Sequence, residues 1–510
     1  MPSRRTPLLR AATVGLTALA LALALAGTSA SGATGDRTSS VAPPIPPSPS
    51  DARVEKFEGA AAKARPIKQR RLPQHPFLAP NGRSSMHNDA YSSDAYEVSG
   101  PLGRDLVVTS ATYGIRECAT ITFDSQDRIL ALCGGLEGFV MMLIDPVTLD
   151  PIAELAMPGR DVTSGANPLT DICGGTYFFL TPDDHAIATT TESSIWEVRE
   201  TATGLAKVGS WELAPHIPDG DCVVATAPDW KGRVWFFTQQ GTVGTLNRRT
   251  GKVRTLRLGE ARGEGIYNSV SADETGGVYV VTTHAMYRLD AGRTAQPRIT
   301  WQRDYDRGSV QKPGMLSQGS GTSPTLLGRK WMAITDNADP RTHIVVYDRR
   351  KGVKRRLHCR IPVLPEGAST TENSLVAAGN SVIIENNYGY QNPGSTMFGR
   401  STTPGIARVL IKKRGCKVAW TNTSTAPTSV PKGSLGNGLV YAYTKPPRSD
   451  GIDAWYLTAI DIRSGKTVWS RLTGTGTQWN NHYAAIYLGP DGTAYIATLS
   501  GLVRIQDGPA

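Results

Sequence analysis

The feature that most limits what this chain can fold into is internal repetition. From about Glu117 onward, an apolar run, a Gly/Asp turn, a second apolar run and a strand closed by Asp-x-x-x-Gly-Lys or a variant recur, with a period of roughly 40–50 residues. Cys222–Leu256 reads CVVATAPDWKGRVWFFTQQGTVGTLNRRTGKVRTL, and Asn268–Asp290 and Tyr483–Gln506 repeat the phrase. The runs between turns, such as Val278–Val281, Ile344–Tyr347 and Val382–Ile384, are β-branched and aromatic, which makes them strands. Short strands at this period specify an all-β chain folded as a β-propeller.

Anchoring on the turn between the first two strands of each unit gives eight blades of four strands, with seven as the alternative. The turns are Asp124–Asp127, Pro182–Asp184, Asp229–Gly232, Asp273–Gly276, Gly328–Lys330, Ala378–Asn380, Gly436–Gly438 and Pro490–Gly492. Gly, Asp and Asn supply the tight or side-chain-capped backbone such turns need. Unit two lacks a turn glycine, and unit five has a short first strand. The eighth unit stops after its third strand, near Ile505, which would leave an open edge. The isolated run Asp105–Tyr113 (DLVVTSATY) is expected to supply the missing strand and close the ring.

Ahead of the propeller (105–510) the chain divides in three. Residues 1–30 read as a signal peptide: Arg4, Arg5 and Arg10, an apolar run, then small residues. Export would be by the Sec route or, given the paired arginines, the twin-arginine route. Residues 31–72, rich in Pro, Ser and Arg, read as a disordered tether. Residues 73–104 have no repeat partner and read as an ordered arm on the propeller's side, with a lid or plug that brings His87 and Asp89 over the channel as the competing account.

The net charge of +11 is concentrated at this end. Residues 1–71 carry 11 Lys/Arg against 4 Asp/Glu, leaving 44 against 40 for the rest. A domain that near balance lacks the footprint of a nucleic-acid binder. No later run is long and apolar enough to span a membrane. The chain reads as a secreted monomer.

Six cysteines in an exported chain imply three disulfides. Cys118 and Cys133 flank one hairpin, Cys173 and Cys222 fall at equivalent strand starts, and Cys359 and Cys416 fall near neighbouring outer strands. Zinc binding by the first four is the weaker alternative, since no Cys-x-x-Cys occurs.

In unit seven, Gly438-Leu439-Val440-Tyr441 followed by Leu457–Trp469 (LTAIDIRSGKTVW) resembles the repeat of quinoprotein-type, PQQ-like propellers. Lys417-Val418-Ala419-Trp420 is a partial copy. The resemblance implies eight blades with tryptophans docked between them. It does not carry over the quinone: there is no adjacent Cys-Cys pair and no Cys-x-x-Cys-His. PQQ is therefore not expected.

In a propeller, the starts of the innermost strands and the loops between second and third strands meet around the channel mouth. Here those positions supply carboxylates, amides and histidines. Glu117, Asn268, Asp336 and Asn373 are the candidate ligands for a hard cation, Ca²⁺, which takes oxygen donors of this kind. His284 and His482 are the candidate proton-handling groups. Asp221, Tyr267, Asn387, Tyr388 and Asn481 are candidate contacts to a bound small molecule or glycan. The arrangement is similar in logic to calcium-dependent lactonase propellers, in which the metal polarises a lactone carbonyl. The competing account is that Asn and Asp at strand ends bond their own backbone. No strained Gly-x-Ser-x-Gly nucleophile turn occurs; Gln318–Gly321 is a Gly/Ser loop. Three functions follow: a small-molecule hydrolase, a non-catalytic binding propeller for polysaccharide or protein, and a quinone-dependent dehydrogenase.

Overall fold

In the computed structural model, which describes residues 44–46, 53–136, 138–160, 167, 170–174 and 176–509, the repeats become eight antiparallel blades, one of them extended to a six-stranded sheet by two strands from the N-terminal segment. Each blade itself has four strands, and all eight anticipated turns fall between the first and second strands. The inner strands are buried on both faces because neighbouring blades pack against each side: Val234–Thr238, Gly277–Val281, Ser381–Glu385 and Ala494–Thr498 are buried throughout. Outer strands such as Gly204–Glu212 and Pro297–Asp304 are exposed or half-buried over most of their length.

The turn aspartates act through their side chains. Asp229 Oδ1 accepts the Lys231 and Arg233 backbone N–H groups, while Oδ2 accepts from Arg233 Nε and the Trp235 indole. Asp124 and Asp273 repeat the pattern. Blade two manages without glycine because Asp184 occupies the left-handed region itself, at φ 59°. Blades also dock through tryptophan: Trp420 donates to the Ile462 carbonyl, and a Cβ on Gly465 would stand 2.4 Å from its ring.

Ring closure is as the strand count requires. Val107–Thr112 pairs antiparallel with Gly501–Gln506 and becomes the outer strand of blade eight. The first and last strands of the domain thus share one sheet.

The N-terminal approach departs from expectation. Residues 1–43 lie outside the described residues, and with them the signal peptide. From residue 53, however, the supposed tether is laid on the propeller. Phe57–Gly59 pairs with the outer strand of blade seven, and Arg65 and Ile67 donate backbone bonds to Asn437 and Leu435. The reading of 53–72 as disordered is corrected: Phe57 joins the core of blades seven and eight, and the backbone finds strand and turn partners.

The arm does not pack on the propeller's side. Its backbone crosses the channel, bonding in turn to the inner strands of six blades: Arg83 to Phe123, Ser84 to Leu180, Ala90 to Ala272, Tyr91 to Leu326, Ser93 to Ala377 and Asp94 to Gly433. Ala95–Tyr96 then adds as a parallel strand to Lys432–Ser434. These contacts fall toward the turn ends of the inner strands, so the arm stops the channel opposite the mouth. It leaves over the glycine turns of blades seven and eight, where a Cβ on Gly492 would stand 2.1 Å from the Ser99 carbonyl oxygen.

If the Asp105–Tyr113 strand closes the ring, placing a charge at Ala111, which is fully buried against blade one, unfolds the protein. Ala111→Asp is expected to cost at least about 3 kcal/mol. Thr109→Asp, at an exposed position two residues earlier on the same face of the strand, should stay within about 0.5 kcal/mol. Chemical denaturation of both variants measures the difference.

Candidate functional site

With one end stopped by the arm, the channel becomes a blind cavity of about 170 Å³ opening at the mouth. Glu117, Asn268 and Asn373, from blades one, four and six, all line it, as do Tyr267, Glu372 and His482. Met86 and His87 of the arm also contribute to its lining, and Phe139, Ile115 and Leu499 give it apolar wall. Residues more than two hundred positions apart meet because each sits at the same point of its repeat.

Burial dominates the electrostatics. Glu117 is pushed well above the ordinary carboxyl range by desolvation, only partly offset by the Ala484 backbone N–H. Glu372 is pushed up to about 8 for the same reason; Oε2 accepts the Leu316 N–H at 3.0 Å, and Oε1 is buried with no partner among the described residues. Behind them Glu385, fully buried, is raised to about 7, with Asn373 Nδ2 donating to it at 2.7 Å. No lysine or arginine of the described residues pairs with any of the three.

The amides are oriented by their nitrogens. Asn268 Nδ2 donates to the Ser320 carbonyl, and Asn373 Nδ2 to the Thr428 and Ser429 carbonyls. No described residue donates to either Oδ1. His482 and Tyr483 are consecutive residues with left-handed backbone, φ 30° and 68°, a conformation costing about 1 kcal/mol or more apiece. Tyr390, from the long second loop of blade six, braces them: its hydroxyl is 2.9 Å from His482 Nδ1 and its ring meets Tyr483 edge-on.

Other expected site residues lie elsewhere. Asp336 is not in the cavity; it takes Arg360 Nε and the His343 backbone and ring, so it is a local ion-pair anchor. His284 lies in a neighbouring recess of about 530 Å³ with Arg257, Arg262 and Arg307, sharing Tyr267 with the cavity; burial and then Arg307 push its pKa down. Asp221 staples the Cys222 and Gln240 amides and the Thr238 hydroxyl. Asn387 bridges the Glu372 amide and the Pro427 carbonyl, and Asn481 bonds Thr428 and Ala484. Tyr388 does not line the cavity; its amide donates to Asn386. These four do what Asn, Asp and turn residues ordinarily do at strand ends.

Among the described residues no three His, Cys, Asp or Glu side chains converge as a metal cluster. The cysteines form Cys118–Cys133, Cys173–Cys222 and Cys359–Cys416. The first joins the two inner strands of blade one beside Glu117, and the second ties the approaches to blades two and three. No helix among the described residues is long and apolar enough to cross a membrane.

Glu117, Asn268 and Asn373, which the repeats assign to one opening, line one cavity, and Ser323, which sequence reasoning passed over, lines it too. The signal was present: Thr322-Ser323 holds in blade five the place that Asn268-Ser269 and Asn373-Ser374 hold in blades four and six. His87 was placed over the channel only in the competing account of the arm, and it does line the cavity.

No protein-family profile matches the chain. An uncharacterised protein of Archaeoglobus fulgidus is 30% identical over 332 residues, 58% of this chain and 63% of that protein's length. Among solved structures, the WD40 domain of SCAP from fission yeast is 9% identical with a TM-score of 0.43, covering 79% of this chain and 99% of that one. Streptogramin B lyase is 12% identical with a TM-score of 0.37, covering 64% and 92%. At these scores neither structure bears on function.

The raised carboxyl groups set the direction of one pH effect. An acid whose folded pKa lies above its unfolded value holds its proton longer when folded, so stability falls as pH rises from the unfolded pKa to the folded one. For Glu372 that window is about 4.5 to 8. Glu372→Gln should match the parent near pH 4 and exceed it near pH 8 by on the order of 4 kcal/mol. Thermal unfolding of both proteins across this range measures it.

Proposed function

We propose that the blind cavity binds a small molecule and hydrolyses it, and that the substrate is a carboxylic ester or lactone. The observation that supports this reading most is the pair of desolvated carboxyl groups, Glu117 and Glu372, in one partly apolar pocket, neither of them ion-paired among the described residues although Arg160 also lines the cavity. A group held protonated at neutral pH can donate a hydrogen bond or a proton to a substrate oxygen, and burial is the usual way a protein obtains one. The volume suits a compact substrate: a cavity of about 150 Å³ accommodates a molecule the size of benzene. Apolar walls would take the hydrocarbon part while the carboxyl groups and amide oxygens meet the polar end. Three disulfides fit work in an oxidising, extracellular setting.

A cation-assisted version has its own support. With their nitrogens spent on backbone carbonyls, Asn268 and Asn373 have only Oδ1 to offer, and together with Glu117 these would make an oxygen set of the kind Ca²⁺ takes. Bound there, the ion would act as a Lewis acid on a carbonyl oxygen. A polysaccharide- or protein-binding propeller without turnover is the outcome if hydrolysis fails.

The test is turnover of a panel of short esters and lactones by the secreted protein and by Glu117→Gln. Loss of about 10²-fold or more in kcat/KM is expected for the variant, with folding unchanged by circular dichroism. Equal turnover by parent and variant, or none by either, contradicts the reading. The cation version adds one expectation: Ca²⁺ raises Tm of the parent, EDTA reverses the rise, and Glu117→Gln shows neither.

A further inference from the structure

Where the arm crosses the cavity floor, three side chains from separate parts of the chain meet in a line. The His87 Nδ1–H donates to Asp94, 3.1 Å from each carboxylate oxygen. On the other side of the ring, His87 Nε2 lies 3.1 Å from the Ser323 hydroxyl. That hydroxyl has no other partner among the described residues. All three are buried, at 4%, 0% and 2% exposure, yet His87 and Ser323 both line the cavity while Asp94 sits behind them.

We propose that Ser323, His87 and Asp94 form an acyl-transfer relay, with Ser323 as nucleophile toward a carboxylic ester or lactone. This deepens the hydrolytic reading of the cavity and rests on it.

Each part has a physical basis. Asp94 accepts at Nδ1, which fixes the tautomer so that Nε2 is left as the acceptor for the Ser323 O–H. Asp94 is itself held by Lys432, whose ammonium pairs with it and also donates to the Met86 carbonyl at 2.5 Å. Burial alone would raise the Asp94 carboxyl, but Lys432 and His87 outweigh it and keep the group ionised. Ser323 precedes Pro324, which restricts it to extended backbone and limits its wandering. Glu372 approaches the same segment closely: a Cβ on Gly321 would stand 2.8 Å from its Oε2. Its Oε1, which has no partner among the described residues, belongs to a carboxyl group able to donate to a carbonyl oxygen as charge develops there.

The chemistry balances without an added reactant beyond water. Ser323 Oγ bonds to the acyl carbon as its proton passes to His87 Nε2. The tetrahedral adduct then expels the alkoxide, which takes that proton and leaves as the alcohol, or remains tethered if the substrate is a lactone. Water attacks the acyl-serine, giving its proton to His87. Collapse releases the carboxylic acid, and His87 returns the proton to Ser323.

A bystander reading exists: the same bonds would be made by a histidine that merely satisfies a buried plug. Diisopropyl fluorophosphate separates the two, because it phosphorylates a serine only when an adjacent base activates it, with loss of fluoride. Intact mass and peptide mapping of the full secreted protein should show one adduct, on Ser323, and none on Ser323→Ala. His87→Ala should lose labelling at least 10³-fold, with partial recovery on adding imidazole, which a packing role would not give. An unmodified Ser323 in a protein folded by circular dichroism overturns the relay, as does His87→Ala labelled at the parental rate. Ser323→Ala keeps the fold testable should His87→Ala not fold. If esters are still hydrolysed after Ser323→Ala, the relay fails and the cavity reading stands. If Ser323 is labelled but no ester or lactone is turned over, the relay stands and the hydrolytic reading fails.

Discussion

The buried pair of Lys432 and Asp94 is the interaction on which this architecture turns. Lys432 belongs to the innermost strand of blade seven and Asp94 to the arm that crosses the channel, and neither is exposed. Eight blades surround a central channel, and something must stop it if one end is to be closed. The arm does so, and its backbone groups are satisfied by the inner strands of six blades. An ion pair in such a place fixes position more than it adds stability, since removing one partner strands the other's charge at about 3–5 kcal/mol.

Everything notable at the mouth follows from that stopper. An open channel would let water reach Glu117 and Glu372 from both ends, and their carboxyl groups would ionise in the ordinary range. Stopped at the floor, the cavity keeps them desolvated and brings His87 beneath them. The left-handed backbone at His482 and Tyr483, braced by Tyr390, and the Cys118–Cys133 bridge beside Glu117 hold the rim in shape. A preformed pocket of this kind spends little binding energy on ordering itself.

The fold was legible because a propeller writes its geometry locally. Each Asp or Gly turn, such as Asp229–Gly232, marks the same point of a repeat, so Glu117, Asn268 and Asn373 could be assigned to one opening before any coordinates. The same topological logic failed for Asp336, because its carboxylate, immediately after the strand Trp331–Thr335, meets Arg360 and His343 instead of the cavity. Asn387, Asn481 and Asp221 show the common fate of polar residues at strand ends, which is to bond nearby backbone. The arm was illegible for a deeper reason. Residues 83–96 have no periodicity of their own, and their partners are backbone groups of strands up to several hundred residues away. Polar, small-residue sequence of that sort looks like a surface segment until the hole it fills is known. His87, Asp94 and Ser323 were therefore invisible as a set, although each was in plain view.

The most direct test of the account is amide hydrogen exchange over residues 84–96, followed by mass spectrometry on the folded protein. If the arm is the floor of the cavity, these amides exchange only as the propeller itself opens, at the rate of the inner strands of blades four to seven. Exchange within seconds while those strands stay protected would show an arm outside the channel, and the blind cavity would not exist.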